Sequence, residues 1–215
     1  MNKVHPARRR LLAWFSGALL GAAIASPALA HDRQASAATD LDRVGNYLNA
    51  MTTAEGPFMQ HNADGTMSTG TFSISRPGKL RMDYDGPKSP LIVASAGRVA
   101  IFDRKYRNSP PEQYPLAKTP LGPLLARHVD LARSEMIAGQ SATEDRINVW
   151  ARDPDHPEYG TGRFSFTRDP IALKSWTMTN DGGETTHVEF GTLAAGMKLP
   201  MTRFSIASEI EKIER

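Results

Sequence analysis

Between Gly70 and Tyr84 the chain reads GTFSISRPGKLRMDY, two segments of period-two alternation joined by an Arg-Pro-Gly-Lys corner. Phe72 and Ile74 alternate with Thr71, Ser73 and Ser75, and Leu80, Met82 and Tyr84 alternate with Lys79, Arg81 and Asp83. Successive strand side chains point to opposite faces, so each segment has one apolar wall and one wet wall. Paired antiparallel, the two make a sheet whose apolar face must be covered by another part of the chain. What covers it is the question on which fold and function both turn.

Strand signals recur at short spacing on either side. From Ala54 the texture becomes β, and Phe58 leads through Asn62-Ala63-Asp64-Gly65, a hairpin signal, into the opening feature. Residues 91–94 and 99–102 flank the turn Ser95-Ala96-Gly97-Arg98. Further strands are expected at 146–151, 162–167, 171–179, 185–191 and 201–206. Asp169-Pro170 and Asp181-Gly182-Gly183 supply turns, and Gly160-Thr161-Gly162 reads as another. The charged tail 208–215 reads as a fraying end or a short helix. This is the pattern of an antiparallel meander curving towards a barrel.

Two segments depart from the β pattern. Thr39-Asp40-Leu41-Asp42 is a helix-start signal, followed by Leu41, Val44, Leu48 and Met51 at spacings of three, four and three. That predicts one amphipathic helix closing one side of the core. Between Tyr106 and Leu131 the prolines 110, 111, 115, 120 and 123 accompany Leu116, Leu121, Leu124, Leu125, Val129 and Leu131. A short helix over 120–127 would put Leu121, Leu124 and Leu125 on one face. Such a helix fits equally an ordinary core cap and a cover across a barrel mouth.

The first thirty residues have a basic start at Lys3, Arg8, Arg9 and Arg10, an apolar run from Leu11 to Ile24, and the ending Ala28-Leu29-Ala30. This is the pattern of a cleaved secretory signal peptide over 1–30, leaving 31–215 as a single expected domain. The arginine cluster fits either the general secretory or the twin-arginine route. Four of the 26 Lys and Arg and none of the 23 Asp and Glu lie in that segment, so the remainder carries 22 minus 23, a formal charge of −1. With no basic stripe left, nucleic-acid binding is discarded. Cysteine is absent, which excludes disulfides, a thiolate metal site, a catalytic Cys and a Cys-linked lipid anchor.

No G-x-S-x-G elbow, P-loop, H-E-x-x-H or kinase signature occurs, so neither catalytic residues nor cofactors are expected. Asp153, Asp155, His156 and Glu158 cluster, but their spacing fits neither an EF-hand nor a His-rich zinc site. They read as a solvated loop, and no metal is expected there. His187, in an alternating strand, reads as a cross-strand or surface histidine.

What remains is the apolar wall. Phe58, Phe72, Ile74, Leu80, Met82, Tyr84, Ile92, Ile101, Phe164, Phe166, Trp176 and Met178 are large side chains on short strands, with Val188 and Phe190 beside them. They either interdigitate as a dry sandwich core or line a lipophilic cavity in a sheet that curves too widely to fill itself. The methionines 59, 67, 82, 136, 178, 197 and 201 favour an adaptable lining.

The order of features from 54 to 125 resembles a known family. It runs Phe58-x-Gln60, Asp64-Gly65, Gly70-x-Phe72, Arg76-Pro77-x-Lys79-x-Arg81-x-x-Tyr84, Pro90 to Val93, Phe102-Asp103, Pro115-Leu116, Thr119-Pro120-Leu121 and Leu124-Leu125. This is similar to the periplasmic outer-membrane lipoprotein carriers (LolA-like). The resemblance implies a mainly β fold with some α: an incomplete, strongly curved antiparallel barrel, an N-terminal helix and a short helical lid enclosing a hydrophobic cavity. It implies a monomeric, non-enzymatic periplasmic carrier that takes acylated lipoproteins from an inner-membrane release complex and delivers them to the outer membrane, with an outer-membrane acceptor as a further partner. It makes Arg76 the latch of a lid formed by Leu121, Leu124 and Leu125, and assigns no role to 153–158. The alternative is a lipoprotein-sensing or acceptor-type binding module on the same fold.

Overall fold

The computed structural model describes residues 40–106 and 109–214. The expected signal segment lies outside them. Twelve strands form one antiparallel sheet: β1 (Thr53–His61), β2 (Met67–Ser75), β3 (Lys79–Tyr84), β4 (Leu91–Ser95), β5 (Arg98–Phe102), β6 (Glu112–Pro115), β7 (Ile137–Ala142), β8 (Arg146–Arg152), β9 (Thr161–Arg168), β10 (Ile171–Thr179), β11 (Thr185–Phe190) and β12 (Ala194–Ala195). The order across it is β6-β5-β4-β3-β2-β1-β11-β10-β9-β8-β7, with β12 on β1. The ends β6 and β7 do not pair with each other, so the sheet is an open barrel, as the sequence predicts.

The opening feature is its middle. Phe72 pairs with Met82 and Ile74 with Leu80, so both apolar sets fall on one face. Gly70 lets the strands close there: a Cβ would stand 2.3 Å from the Asp83 carbonyl oxygen and 2.8 Å from the Phe58 ring. The concave face continues through Ala54 and Phe58, Val188 and Phe190, Trp176, Phe164 and Phe166, and Ile147 and Val149, all buried in one cluster.

Helix α1 (residues 40–50) covers one end of that face with Leu41, Val44, Tyr47 and Leu48. The Tyr47 ring meets Phe166 edge-on at 6.1 Å, and its hydroxyl accepts the Leu173 N–H. Burial pushes the Tyr47 phenol up from its ordinary value, and the Leu173 hydrogen bond opposes that rise.

The convex face differs from expectation at the C-terminus. Residues 201–206 are not a strand. A 3-10 turn (Met201–Phe204) buries Phe204 and leads into α3 (Ile206–Glu214). Ile206, Ile210 and Ile213, spaced four and three, pack on Leu91, Val93, Ala100 and Phe102. This explains why β4 and β5 read as continuous apolar runs: their inward residues join the main core and their outward ones form a second. Strands β6, β7 and β12 are further additions, since short edge strands rich in Gln, Ser, Gly and Pro carry little β signal.

Helix α3 is held by charge. Arg81 Nη1 donates to Glu209 at 3.0 Å and to the Arg203 carbonyl at 3.1 Å, while Nη2 reaches Asp83 at 2.7 Å. The Arg81 and Glu209 side chains are only 11% and 9% exposed. Burial pushes the Glu209 carboxyl up, but hydrogen bonds from Lys212 and Arg81 outweigh it and hold it below its ordinary value. Asp83 is held down in the same way by Arg81 and Arg104. Depressed folded values mean that this stabilisation is present above the ordinary carboxylate range and disappears as pH falls through the folded values. Arg81→Met is expected to cost about 2 kcal/mol near neutrality by urea unfolding. The gap to the parent protein should narrow on acidification as Glu209 and Asp83 protonate.

Candidate functional site

Phe58, Phe72, Ile74, Leu80, Met82, Tyr84, Phe164, Phe166 and Trp176 are all buried in the concave cluster, and Ile92 and Met178 pack against it half-buried. Ile101, paired with Ile92, shares their face but is half-buried towards the edge strand β6. The centre is an aromatic group. Phe72 lies 4.7 Å from Phe190 and 5.7 Å from Trp176, and Trp176 lies 4.9 Å from Phe190 and 6.0 Å from Phe164. These residues pack on one another and on the segment that covers them.

The methionine expectation is corrected. Met82 and Met178 belong to the interior, but Met59, Met67 and Met201 are exposed, Met67 by 66%. Strand parity decides this for Met59 and Met67, since Phe58 and Ser68 take the inward positions beside them, and Met201 opens the 3-10 turn before α3.

One polar group sits in the wall. The Tyr84 hydroxyl donates to Gln60 Oε1 at 2.6 Å, and its ring meets Phe58 edge-on at 4.9 Å. Burial pushes its phenol up to about 12, opposed by the Gln60 hydrogen bond, so it stays neutral at any ordinary pH.

The cover is the proline-rich insertion. After β6 comes a 3-10 turn (Leu116–Lys118) and one α-turn, α2 (Gly122–Leu125), shorter than the predicted 120–127. Prolines at 120 and 123 leave few amides to extend it. Leu124 and Leu125 are 5% and 2% exposed within the concave cluster, together with Leu116, Val129 and Leu131, and Leu121 packs on it half-buried. Beyond α2, Asn49 of α1 clamps Val129 through both backbone groups, at 3.0 and 2.9 Å.

Arg76 lies where the resemblance puts a latch. Its Nη2 donates to the Ala126 carbonyl at 2.6 Å, and the neighbouring Gly78 N–H donates to the Leu125 carbonyl at 2.8 Å. A helix end leaves its last carbonyls without partners, and the corner between β2 and β3 supplies two donors for them. Arg76 Nε, however, is buried with no partner, and burial pushes the guanidinium pKa down. An unpaired buried donor costs stability. Arg76 thus makes one hydrogen bond to the end of the covering segment from a site that is imperfect for arginine. Beside it a cleft of about 410 Å³, lined by Pro77, Gly78, Lys79, Ala96, Gly97, Leu125 and Arg127, flanks the end of α2.

Other partners of the cover had no residue-type signal. Gly162 of β9 lies against Pro120, where a Cβ would stand 2.8 Å from the proline Cβ. Gly160, not Gly162, takes the turn conformation at φ +84, and Gly162 is already in the strand. The acidic segment is an ordered loop. Asp153 is 7% exposed and accepts the amides of Asp155 and His156, and among the described residues no group of His, Asp and Glu is arranged to hold a metal. His187 is cross-strand from His61.

The model of a family described as outer membrane lipoprotein carrier protein LolA matches residues 49–207. A protein of Methylococcus capsulatus named outer-membrane lipoprotein carrier protein is 24% identical over 185 residues, covering 79% of this chain and 84% of its own length. One of the same name from Dechloromonas aromatica is 24% identical over 188 residues, covering 83% and 85%. A solved LolA superfamily protein from Nitrosomonas europaea is 8% identical with a TM-score of 0.39, covering 79% of this chain and 97% of that one.

Two substitutions probe the cover. Arg76→Leu removes the bond to Ala126, worth about 1.5–3 kcal/mol for a charged donor, but also relieves the unpaired Nε. Amide exchange at Gly78 and Leu125 should therefore quicken by roughly tenfold or more, while global stability changes by less than about 1 kcal/mol. Gly162→Ala should push Pro120 away, costing about 1–3 kcal/mol in thermal or urea unfolding and loosening 116–125.

Proposed function

The chain belongs to the family of outer membrane lipoprotein carrier proteins, LolA, and on that premise we propose that it is a soluble periplasmic carrier for acylated lipoproteins. It takes their acyl chains at the inner membrane, shields them across the aqueous space and gives them up at the outer membrane. Release machinery on one side and an acceptor on the other are its expected partners. The role needs no chemical step. Among the described residues no helix is long and apolar enough to cross a membrane.

The observation that carries this reading is the concave aromatic wall covered by a segment held through a polar latch. Exposing three acyl chains of roughly 45 methylenes in all, at about 0.8 kcal/mol each, would cost more than ~30 kcal/mol. That exceeds what non-covalent complexes reach, near ~18–21 kcal/mol, so a useful carrier must not hold its cargo with everything burial offers. Exchange solves the problem. Lifting Leu124 and Leu125 off the wall costs about 1.5–3 kcal/mol each, and an acyl chain laid in their place restores burial of the same apolar surface. Leu121, Leu124 and Leu125 form the moving cover, Arg76 sets how readily it lifts, and the lining from Phe58 to Met178 receives the chains.

The test is to incubate the mature protein with inner-membrane vesicles carrying the release machinery and a labelled lipoprotein. A soluble one-to-one complex is expected. Arg76→Leu should alter the yield of release or of delivery by several-fold. Label that stays with the membrane overturns the carrier reading. A sensing or acceptor-type module would bind lipoprotein without carrying it from one membrane to the other.

A further inference from the structure

The Arg76 corner holds only the trailing end of the cover. Its leading end, Leu116 to Pro120, meets a different part of the molecule, the loop between β8 and β9. Lys118 Nζ lies 2.5 Å from His156 Nε2, and His156 Nδ1 lies 2.8 Å from Glu158 Oε1. The Tyr114 ring of β6 meets Tyr159 of the loop edge-on at 6.0 Å, and Tyr159 lies 5.4 Å from the His156 ring. Pro120 rests on Gly162 just beyond. In strand order β6 is one end of the open sheet, and β8 and β9 lie near the other. These contacts therefore span the gap that the sheet leaves open.

We infer that the β8–β9 loop is a second clasp on the cover, closed by neutral His156 and released when that histidine is protonated. The inference rests on the carrier reading for its purpose, but not for its geometry. A lysine ammonium has donors and no acceptor, so His156 Nε2 must present its lone pair to Lys118. The ring's single proton then sits on Nδ1 and is donated to Glu158. A second proton on Nε2 would set two cationic donors face to face, and Lys118 must leave. The Glu158 arm survives protonation and is strengthened by it, so the loop keeps its histidine while the cover loses its anchor.

The charges around the ring divide by element. Glu158 Oε1 faces Nδ1 and Lys118 Nζ faces Nε2 from the cover, with Asp153 and Asp155 on the loop's own backbone beside them. From β6, Glu112 is occupied by the Tyr114 hydroxyl, which donates to it at 2.9 Å. Asp153 has a separate task. Its Oδ1 accepts the amides of Asp155 and His156, so the loop is preshaped whether or not the clasp is closed. An ordinary histidine changes charge near pH ~6.5, within the range to which a compartment open to the surroundings is exposed. Acid would then ease the cover open from its leading end, while Arg76, charged at every such pH, continues to hold the trailing end.

Amide exchange of the cargo-free protein, normalised for the intrinsic pH dependence of exchange, tests this directly. Between about pH 7.5 and about pH 5.5 the neutral fraction of an ordinary histidine falls roughly tenfold. Protection across 116–122 should fall by a factor approaching that, while the β2–β3 amides stay unchanged. His156→Gln, whose side-chain oxygen still accepts from Lys118, should keep the cover protected at both values. Lys118→Met should leave it equally loose at both. Parent protein without a pH trend in this segment, or His156→Gln with the same trend as the parent, overturns the clasp. Uptake of a fluorescent tripalmitoylated lipopeptide, followed in parallel, should be faster at the lower pH in the parent and insensitive to pH in both variants. Exchange that behaves as expected with no lipopeptide uptake at either pH would overturn the carrier reading and leave the clasp standing.

Discussion

An antiparallel sheet whose two ends do not meet leaves a concave apolar wall with no second sheet to bury it. The order from β6 to β7 places Phe72, Phe164, Trp176 and Phe190 at the centre of that wall. Everything else in the structure answers to it. Helix α1 covers one part and is tied down by Tyr47 and Asn49. The proline-bounded segment from Leu116 to Leu131 covers the rest, and proline makes it a poor candidate for regular structure of its own. Its hold on the wall comes from leucine burial and a few polar contacts at its ends. That is a cover of modest, adjustable stability over a surface that cannot be left wet.

Stability and function pull apart at the cover. A fully optimised core would replace Arg76 with something that leaves no unpaired donor. The partly unsatisfied guanidinium makes the contact at the trailing end of the covering segment less stabilising than a fully paired one would be. Regions that must open are drawn from the less stable parts of a fold. The well-paired charge network around Arg81 lies on the other side of the sheet, away from the covering segment.

Much of this was legible in the sequence because its periodicities are strict. The alternation of Phe72 and Ile74 against Leu80, Met82 and Tyr84 sets pairing and facing, and the leucine spacing at 121, 124 and 125 marks a short apolar helical face. The lining residues follow from strand alternation, and the part given to Arg76 follows from the family resemblance. What escaped depends on distance in space. Gly78, the Ala126 carbonyl and Gly162 act through backbone groups or the lack of a side chain, which leaves no residue-type signal. The loop at 153–158 reads as solvated because acidic turns usually are, and only the contacts of His156 with Lys118 and of Tyr159 with Tyr114 give it a place. The segment from Met201 to Ile206 carries only three apolar residues at uneven spacing, too few to distinguish a strand from a turn leading into a helix.

Helix α3 has a consequence of its own. Leu91, Val93, Ala100 and Phe102 stand on the convex side of β4 and β5, and β5 is followed only by the short edge strand β6. Loss of the final turns by proteolysis, or their displacement by a bulky fusion, would bare this strip beside a strand with free hydrogen-bonding groups. That combination is a template for self-association. By covering Leu91, Val93, Ala100 and Phe102, α3 keeps the convex side of the sheet from offering such a surface.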